Sequence, residues 1–364
     1  MKKSLIALAA LAATASFAQS TVTIFGVADA AYTSAKTGDS KVSAVTSGNQ
    51  ATSRLGLKGE EDLGSGLKAG FWLEAQVNLD SGVGSASNTN NQAYGSGIAD
   101  NTLAKGGAVT TNTTNGTQGL TFNRRSTVSM MGGFGEVRVG RDYSPTFWNQ
   151  TVYDPFGTVG VGASQANAGA NPASNYTGVR ASNGVAYFTP SMSGFQLQLQ
   201  TYMGENPSDV ADKKIGSGTA LRGTYDNGPV SVAVAYSETN NAATTKWKAT
   251  NFGGSYNLGV AKLMAVYSKD QNGTAADIKG YLVGATAPLG AGTVKFAYSE
   301  SKQNDVKADK AAIGYVYPFS KRTSLYGTYA SVKNSGGSKV AIGGTTGVAN
   351  TTSTGFDLGV THSF

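Results

Sequence analysis

The chain ends in Phe356-Asp357-Leu358-Gly359-Val360-Thr361-His362-Ser363-Phe364. Phe356, Leu358, Val360, His362 and Phe364 stand on one parity, and Asp357, Gly359, Thr361 and Ser363 on the other. Side chains of an extended chain point alternately to opposite faces, so the stretch reads as a β-strand with one apolar and one polar or small face. The same period recurs upstream. Leu67, Ala69, Phe71, Leu73, Ala75 and Val77 alternate with Lys68, Gly70, Trp72, Glu74, Gln76 and Asn78. Phe195, Leu197 and Leu199 alternate with glutamines, Val230 to Tyr236 with Ser and Ala, and Val294, Phe296 and Tyr298 with Lys295, Ala297 and Ser299.

Sixteen such segments are predicted, at 22–31, 54–61, 67–78, 123–131, 135–143, 176–189, 194–204, 219–225, 230–237, 246–256, 260–268, 278–287, 293–300, 309–317, 323–333 and 354–364. Seven of the connections are short and rich in Gly, Asn, Asp and Pro, the chemistry of tight turns. Eight are longer: 32–53, 79–122, 144–175, 205–218, 238–245, 269–277, 301–308 and 334–353. Short and long alternate throughout, as expected of an up-and-down sheet with one trimmed and one elaborated rim. Crossing a bilayer as a tilted strand takes about 9–11 residues, close to most of these segments and longer than the about 5–6 usual in soluble proteins. An even strand number with short turns on one rim matches outer-membrane barrels. The reading is all-β: a 16-stranded antiparallel transmembrane β-barrel with its apolar parity turned to lipid. Tyr143, Tyr187, Tyr256, Tyr317, Phe319, Tyr329 and Phe364, near segment ends, suit interfacial girdles.

Composition narrows the function. The 364 residues include no Cys and one His, which leaves no Cys framework and no multi-His zinc site. No phosphate loop or convincing carboxylate pair is present, so no enzyme activity, cofactor or metal is expected. Met1-Lys2-Lys3, the apolar run Leu5 to Ala15 and Ser16-Phe17-Ala18 form a secretory signal peptide, cut before Gln19 (1–18 signal peptide, 19–364 barrel). Its removal leaves 27 basic against 22 acidic side chains, a formal +5. Secretion and the scatter of Lys and Arg argue against nucleic acid as a partner.

Several stretches resemble the general porins of Gram-negative bacteria, of the β-proteobacterial type. Gln19 to Asp29 (QSTVTIFGVAD) looks like that family's first strand, Ser53 to Ala69 (SRLGLKGEEDLGSGLKA) like its second hairpin, Gly133 to Pro145 (GFGEVRVGRDYSP) like the strand entering its third loop, and Gly359 to Phe364 (GVTHSF) like its terminal strand. The resemblance implies a water-filled channel for passive diffusion of small hydrophilic solutes and ions in the bacterial outer membrane. It also implies a homotrimer among outer-membrane lipid and lipopolysaccharide. The third loop (Ser144 to Asn175) is then expected to fold inward, and the second (79–122) to reach over a neighbouring subunit. An aromatic Phe364 resembles the signal read by the outer-membrane assembly machinery.

Parity places side chains in the lumen: Arg54 and Lys58, Lys68 and Glu74, Glu136, Arg138 and Asp142, Arg180 and Ser182. It turns Arg125 inward, whereas the resemblance points to Arg124, and it turns Arg141 outward, which a bulge, strand end or subunit interface would explain. Arg54, Arg124 and Arg180 match the arginine cluster of anion-preferring relatives. The pore constriction is therefore expected at Arg54, Arg124, Arg180, Asp154, Lys58 and Arg138. Asp154, the main acid of the third loop, either supplies the opposite pole of a transverse field or caps a turn. A modest anion preference follows. The alternatives are a substrate-specific outer-membrane channel, or a secreted adhesin or lectin-like β protein.

Overall fold

The computed structural model describes residues 21–85, 119–166, 177–204, 208, 213–241, 245–273 and 275–364. The expected signal peptide, most of the second loop and the end of the third lie outside the described residues. Among the described residues, seventeen strands form one antiparallel sheet. They are β1 (Thr21–Thr37), β2 (Ser40–Ser47), β3 (Arg54–Gly64), β4 (Leu67–Gln76), β5 (Arg125–Gly132), β6 (Gly135–Tyr143), β7 (Arg180–Phe188), β8 (Phe195–Tyr202) and β9 (Gly218–Asn227). The second half comprises β10 (Val230–Asn240), β11 (Lys246–Asn257), β12 (Lys262–Asn272), β13 (Ile278–Leu289), β14 (Gly292–Gln303), β15 (Val306–Pro318), β16 (Thr323–Ser335) and β17 (Ser353–Ser363). Among the described residues one helix of about two turns, α1 (Pro145–Val152), follows β6.

From β3 to β17 each strand pairs with the next. β1 closes the ring, running against β17 from Val27↔Ser363 to Thr37↔Ser353 and against β3 from Thr21↔Glu60 to Val27↔Arg54. The upper half of β1 pairs instead with β2. The wall is thus a closed 16-stranded barrel, and β2 is an addition within 32–53, a segment whose sequence predicts a loop. Its Ser/Lys/Ala-rich chain gives little apolar contrast, but Gly38 (φ +57°) opens a two-residue turn into it. A second correction concerns 301–308. This is no long loop: Gln303 pairs with Val306 across Asn304-Asp305, because β14 and β15 run on past the apolar band.

The sheet is inverted relative to a soluble protein. Val128, Val232, Phe252, Val283, Phe296, Ile313 and Leu358 are exposed, while Asp29, Glu74, Asn251, Ser299, Lys310 and Asp357 on the opposite parity are buried. An apolar outer coat around a self-satisfied closed sheet is the arrangement that lipid demands. No helix among the described residues is long and apolar enough to cross a membrane; the strands do so.

The segment after β6 packs on the inner parity of the wall. Ser144 caps α1, accepting from the Phe147 N–H at 3.3 Å, with Pro145 at the first helical position. Asn149 Nδ2 donates to Asn251 Oδ1 at 2.8 Å, and Asn251 Nδ2 returns a bond to the Thr146 carbonyl at 2.9 Å. Farther on, the Val161 N–H donates to Asp357 and the Gln165 N–H to Ser299, each at 2.9 Å. Lys310 Nζ donates to the Ala163 carbonyl at 2.7 Å, and the Ser268 hydroxyl donates to the Ala166 carbonyl. Phe156 and Val161 join Ala297, Ala312 and Ala330 of the wall in a small apolar cluster.

Candidate functional site in the lumen

A cavity of about 810 Å³ runs between this segment and the inner ends of β3 to β9. Its wall is ionic. Arg124 Nε donates to Glu74 Oε1 at 2.5 Å, and Arg54 stands 3.8 Å from the same oxygen. Arg124 Nη2 also donates to the Tyr143 hydroxyl at 2.9 Å. The Arg180 guanidinium lies 4.3 Å over the Tyr143 ring and donates to the Arg124 carbonyl at 2.8 Å. On β6, Arg138 bonds both oxygens of Glu136 (2.9 and 3.0 Å) and one of Asp142 (2.7 Å). Arg125 reaches Asp142 at 3.5 Å and covers the Trp72 ring at 4.6 Å. Arg222 lines the cavity from β9 and donates to Asn149 of α1 at 3.1 Å.

Six arginines (54, 124, 125, 138, 180 and 222) therefore meet three carboxylates (74, 136 and 142), an excess of three positive charges. Guanidinium stays ionised when crowded and presents a planar donor fork, which suits a stack that must remain charged beside its neighbours. The cation–π contacts with Trp72 and Tyr143 fix two of the six in place.

Of the residues expected from sequence, the structure brings Arg54, Arg124, Arg138 and Arg180 together. Lys58 lies one step away, its Nζ 5.0 Å from the Trp72 ring and 5.5 Å from that of Phe25, in an adjoining cavity towards the short-turn rim. Asp154 stands apart. It is buried in its own loop, accepting the N–H groups of Phe156 (2.9 Å), Thr158 (3.2 Å) and Ser164 (3.1 Å). Burial pushes its carboxyl up from the ordinary carboxylate value, and these three donors and Lys310 pull the other way. Its geometry is that of a turn cap.

The conflict over Arg124 and Arg125 dissolves. β5 begins at Arg125, so Arg124 sits on the bend before it and escapes strand parity, while Arg125 obeys it; both reach the same cavity. Arg141 is explained by a bulge. Register shifts between Gly140 (φ +123°) and Asp142, and Arg141 donates to the Asn123 carbonyl (2.7 Å) and Ser182 Oγ (2.8 Å) instead of facing lipid. The same bulge corrects Tyr143, expected in a girdle and found among the arginines. Arg222 is a site residue that no motif marks; its only sequence signal is its place on the parity opposite Leu221, which the structure exposes.

The sequence profile of the Gram-negative porin family matches residues 5–337. The chain is a member of that porin family. It is 38% identical to outer membrane porin protein 32 of Delftia acidovorans over 100% of both chains. With an outer membrane porin protein of Bordetella pertussis it shares 31% identity over 66% of its own length and 60% of the relative's. A solved structure described as an anion-selective porin from Comamonas acidovorans superposes with TM-score 0.80 at 33% identity, covering 95% of this porin and 100% of that chain. The protein is a Gram-negative outer-membrane porin, a non-enzymatic channel for passive diffusion; the secreted adhesin or lectin alternative falls with that membership.

Proposed function

We propose that this porin prefers anions modestly, and that its constriction lies between the arginine stack and the third loop. The excess of six guanidinium groups over three carboxylates in this cavity and the one adjoining it carries the proposal. Charges around a narrow aqueous passage with low-dielectric walls act on a passing ion far more than surface charges do. Arg54, Arg124, Arg138 and Arg180 supply the field with Arg125 and Arg222, Lys58 extends it towards the short-turn rim, and Asp154 holds the loop against which ions pass. The relative described as anion-selective supports the sign. The reversal potential of single channels in a potassium chloride gradient tests it: an anion-side value is expected, and clear cation selectivity refutes it.

The barrel acts as a homotrimer in this reading. Between Ile24 and Tyr32, β1 turns only small residues outward; the Phe364 ring covers Gly26, and Ala28 and Ala30 leave a strip where a second barrel can approach closely. Phe364 serves the assembly machinery: its backbone pairs both ways with Gly26 at 3.0 and 3.1 Å, closing the ring, while its ring stays half exposed. Chemical cross-linking in native membranes tests the first point.

A further inference from the structure

The cavity has a second wall beyond the arginine stack, and its chemistry is different. On β8 and β9, Gln196, Gln198, Arg222 and Thr224 line it, with Gln198 directly opposite Arg222 and Gln196 opposite Thr224 across the strand pair. Arg222 bonds neutral groups, Asn149 Oδ1 at 3.1 Å and the Tyr153 hydroxyl, and forms no ion pair among the described residues. A small inorganic anion needs donors alone. The amide oxygens of Gln196 and Gln198 and the Thr224 hydroxyl add acceptors beside the donors, the mixture that a row of solute hydroxyls can satisfy.

One aromatic completes this wall. Four aromatic rings line the cavity: Trp72, Tyr143, Trp148 and Phe188. Three of them carry a guanidinium over one face, Arg125 on Trp72 (4.6 Å), Arg180 on Tyr143 (4.3 Å) and Arg138 on Phe188 (4.3 Å). Trp148 carries none among the described residues; its ring contact is a tilted one with Tyr143, at 5.4 Å and 30°. It is 41% exposed. The exposed apolar side chains of the strands lie against lipid, whereas Trp148, on α1 inside the barrel, lies against water. Its exposed area therefore adds no burial to the fold, and the electron-rich face of an indole is a platform for the C–H groups of a ring lying flat on it. Asn149, which holds Arg222, is the next residue of α1, so the indole and the guanidinium flank the same stretch of cavity.

We propose that this wall is a binding site for a sugar acid, a pyranose bearing one carboxylate. The sugar ring lies on Trp148, its hydroxyls pair with Gln198, Gln196 and Thr224, and its carboxylate takes the Arg222 fork. Neighbouring strands lie about 4.8 Å apart, so Gln198 and Arg222 reach adjacent groups of one ring. The cavity, about 810 Å³, is of the size that small-molecule sites have. The inference rests on the reading above that solutes pass through this cavity, and it adds a solute class to it.

The test titrates the potassium chloride current of the whole porin in planar bilayers with potassium D-glucuronate. A saturable block is expected. Acetate, which lacks the ring, and D-glucose, which lacks the carboxylate, reach half-block only at concentrations at least about tenfold higher. Trp148→Ala and Arg222→Gln each raise the half-blocking concentration of glucuronate about tenfold, and Gln198→Ala raises it about fivefold. Trp148→Phe keeps a ring and restores most of the block, and Lys41→Gln, on the outward parity of β2, leaves it unchanged. Block by glucose weakens in Trp148→Ala and not in Arg222→Gln, a split that general damage to the barrel does not produce. A current that falls linearly with glucuronate overturns the proposal, as does block by acetate at the same concentration. Tighter block by benzoate, indifferent to Gln198→Ala, overturns it in favour of an aromatic acid. Heat-dependent gel mobility reports folding; should Arg222→Gln fail to fold, Trp148→Ala, at an exposed position, is read alone against glucuronate and acetate. The reversal potential of the native channel in potassium chloride reads the sign of the field, so an anion-selective channel that glucuronate does not block sinks this inference and leaves the selectivity reading standing.

Discussion

Reversing one charge in the arginine stack gives a measurable shift in selectivity. Arg54 is the variant of choice because its side chain is 28% exposed and its carboxylate contact with Glu74 is long, at 3.8 Å; Arg124 keeps the short bond. An ion about 6 Å from a unit charge in water feels about 0.7 kcal/mol, and about 0.4 after screening at about 0.1 M salt. Arg54→Glu changes two charge units, so an anion loses about 0.8 kcal/mol and a cation gains as much. The permeability ratio then moves about 1.5 kcal/mol towards cations, a little over tenfold. Arg54→Gln, one unit, moves it about threefold. The assay is the reversal potential of single channels in a potassium chloride gradient, repeated at high salt, where both shifts shrink. Lys41→Glu, on the outward parity of β2, serves as the remote control. A shift below about twofold for Arg54→Glu, or an equal one for Lys41→Glu, refutes the assignment of the field to this cavity.

Other substitutions separate the loop from the field. Asp154→Asn replaces one of the two oxygens that accept three backbone N–H groups with an amide donor, leaving at least one of the three unmatched; it is expected to cost about 2 kcal/mol in guanidinium unfolding while leaving the sign of the reversal potential unchanged. A reversal potential shift as large as that of Arg54→Glu would give Asp154 a field role instead. Asp357→Ala cuts the bonds from the Val161 N–H (2.9 Å) and Thr33 hydroxyl (2.6 Å) and is expected to raise open-channel current noise, since the loop loses an anchor on β17. Quiet single-channel records would show that the remaining contacts hold the loop. At Gly253 a Cβ would lie 2.2 Å from the Tyr153 ring, so Gly253→Val pushes the ring and its 2.9 Å bond to Ser231 inward. Conductance should fall, at a cost of about 1–3 kcal/mol in stability from overpacking; unchanged conductance counts against the loop as a determinant of pore size.

Much of the barrel was legible because its signal is local. A strand with lipid on one side and water on the other carries its environment in its own alternation, as Phe356 to Phe364 show, and turn residues mark the short rim. The misses have local causes as well. β2 has too little apolar contrast to be seen, and the Asn304-Asp305 turn was hidden because parity was followed only through the apolar band. The site was half legible. Arg54, Arg138 and Arg180 follow from parity, but the bulge at Gly140 moves Tyr143 and Arg141 by one position, and a one-residue slip exchanges faces.

By itself, then, the sequence determined that this chain is a closed β-barrel in lipid, because period two, strand length and rim asymmetry need no partner to be read. The tertiary structure alone decided which charges meet. Arg124 and Arg180 share Tyr143 across 56 residues of chain, and Asp154 turns its carboxylate onto its own loop. Each depends on register between segments far apart in sequence, and register is a property of pairs of strands, not of any one of them.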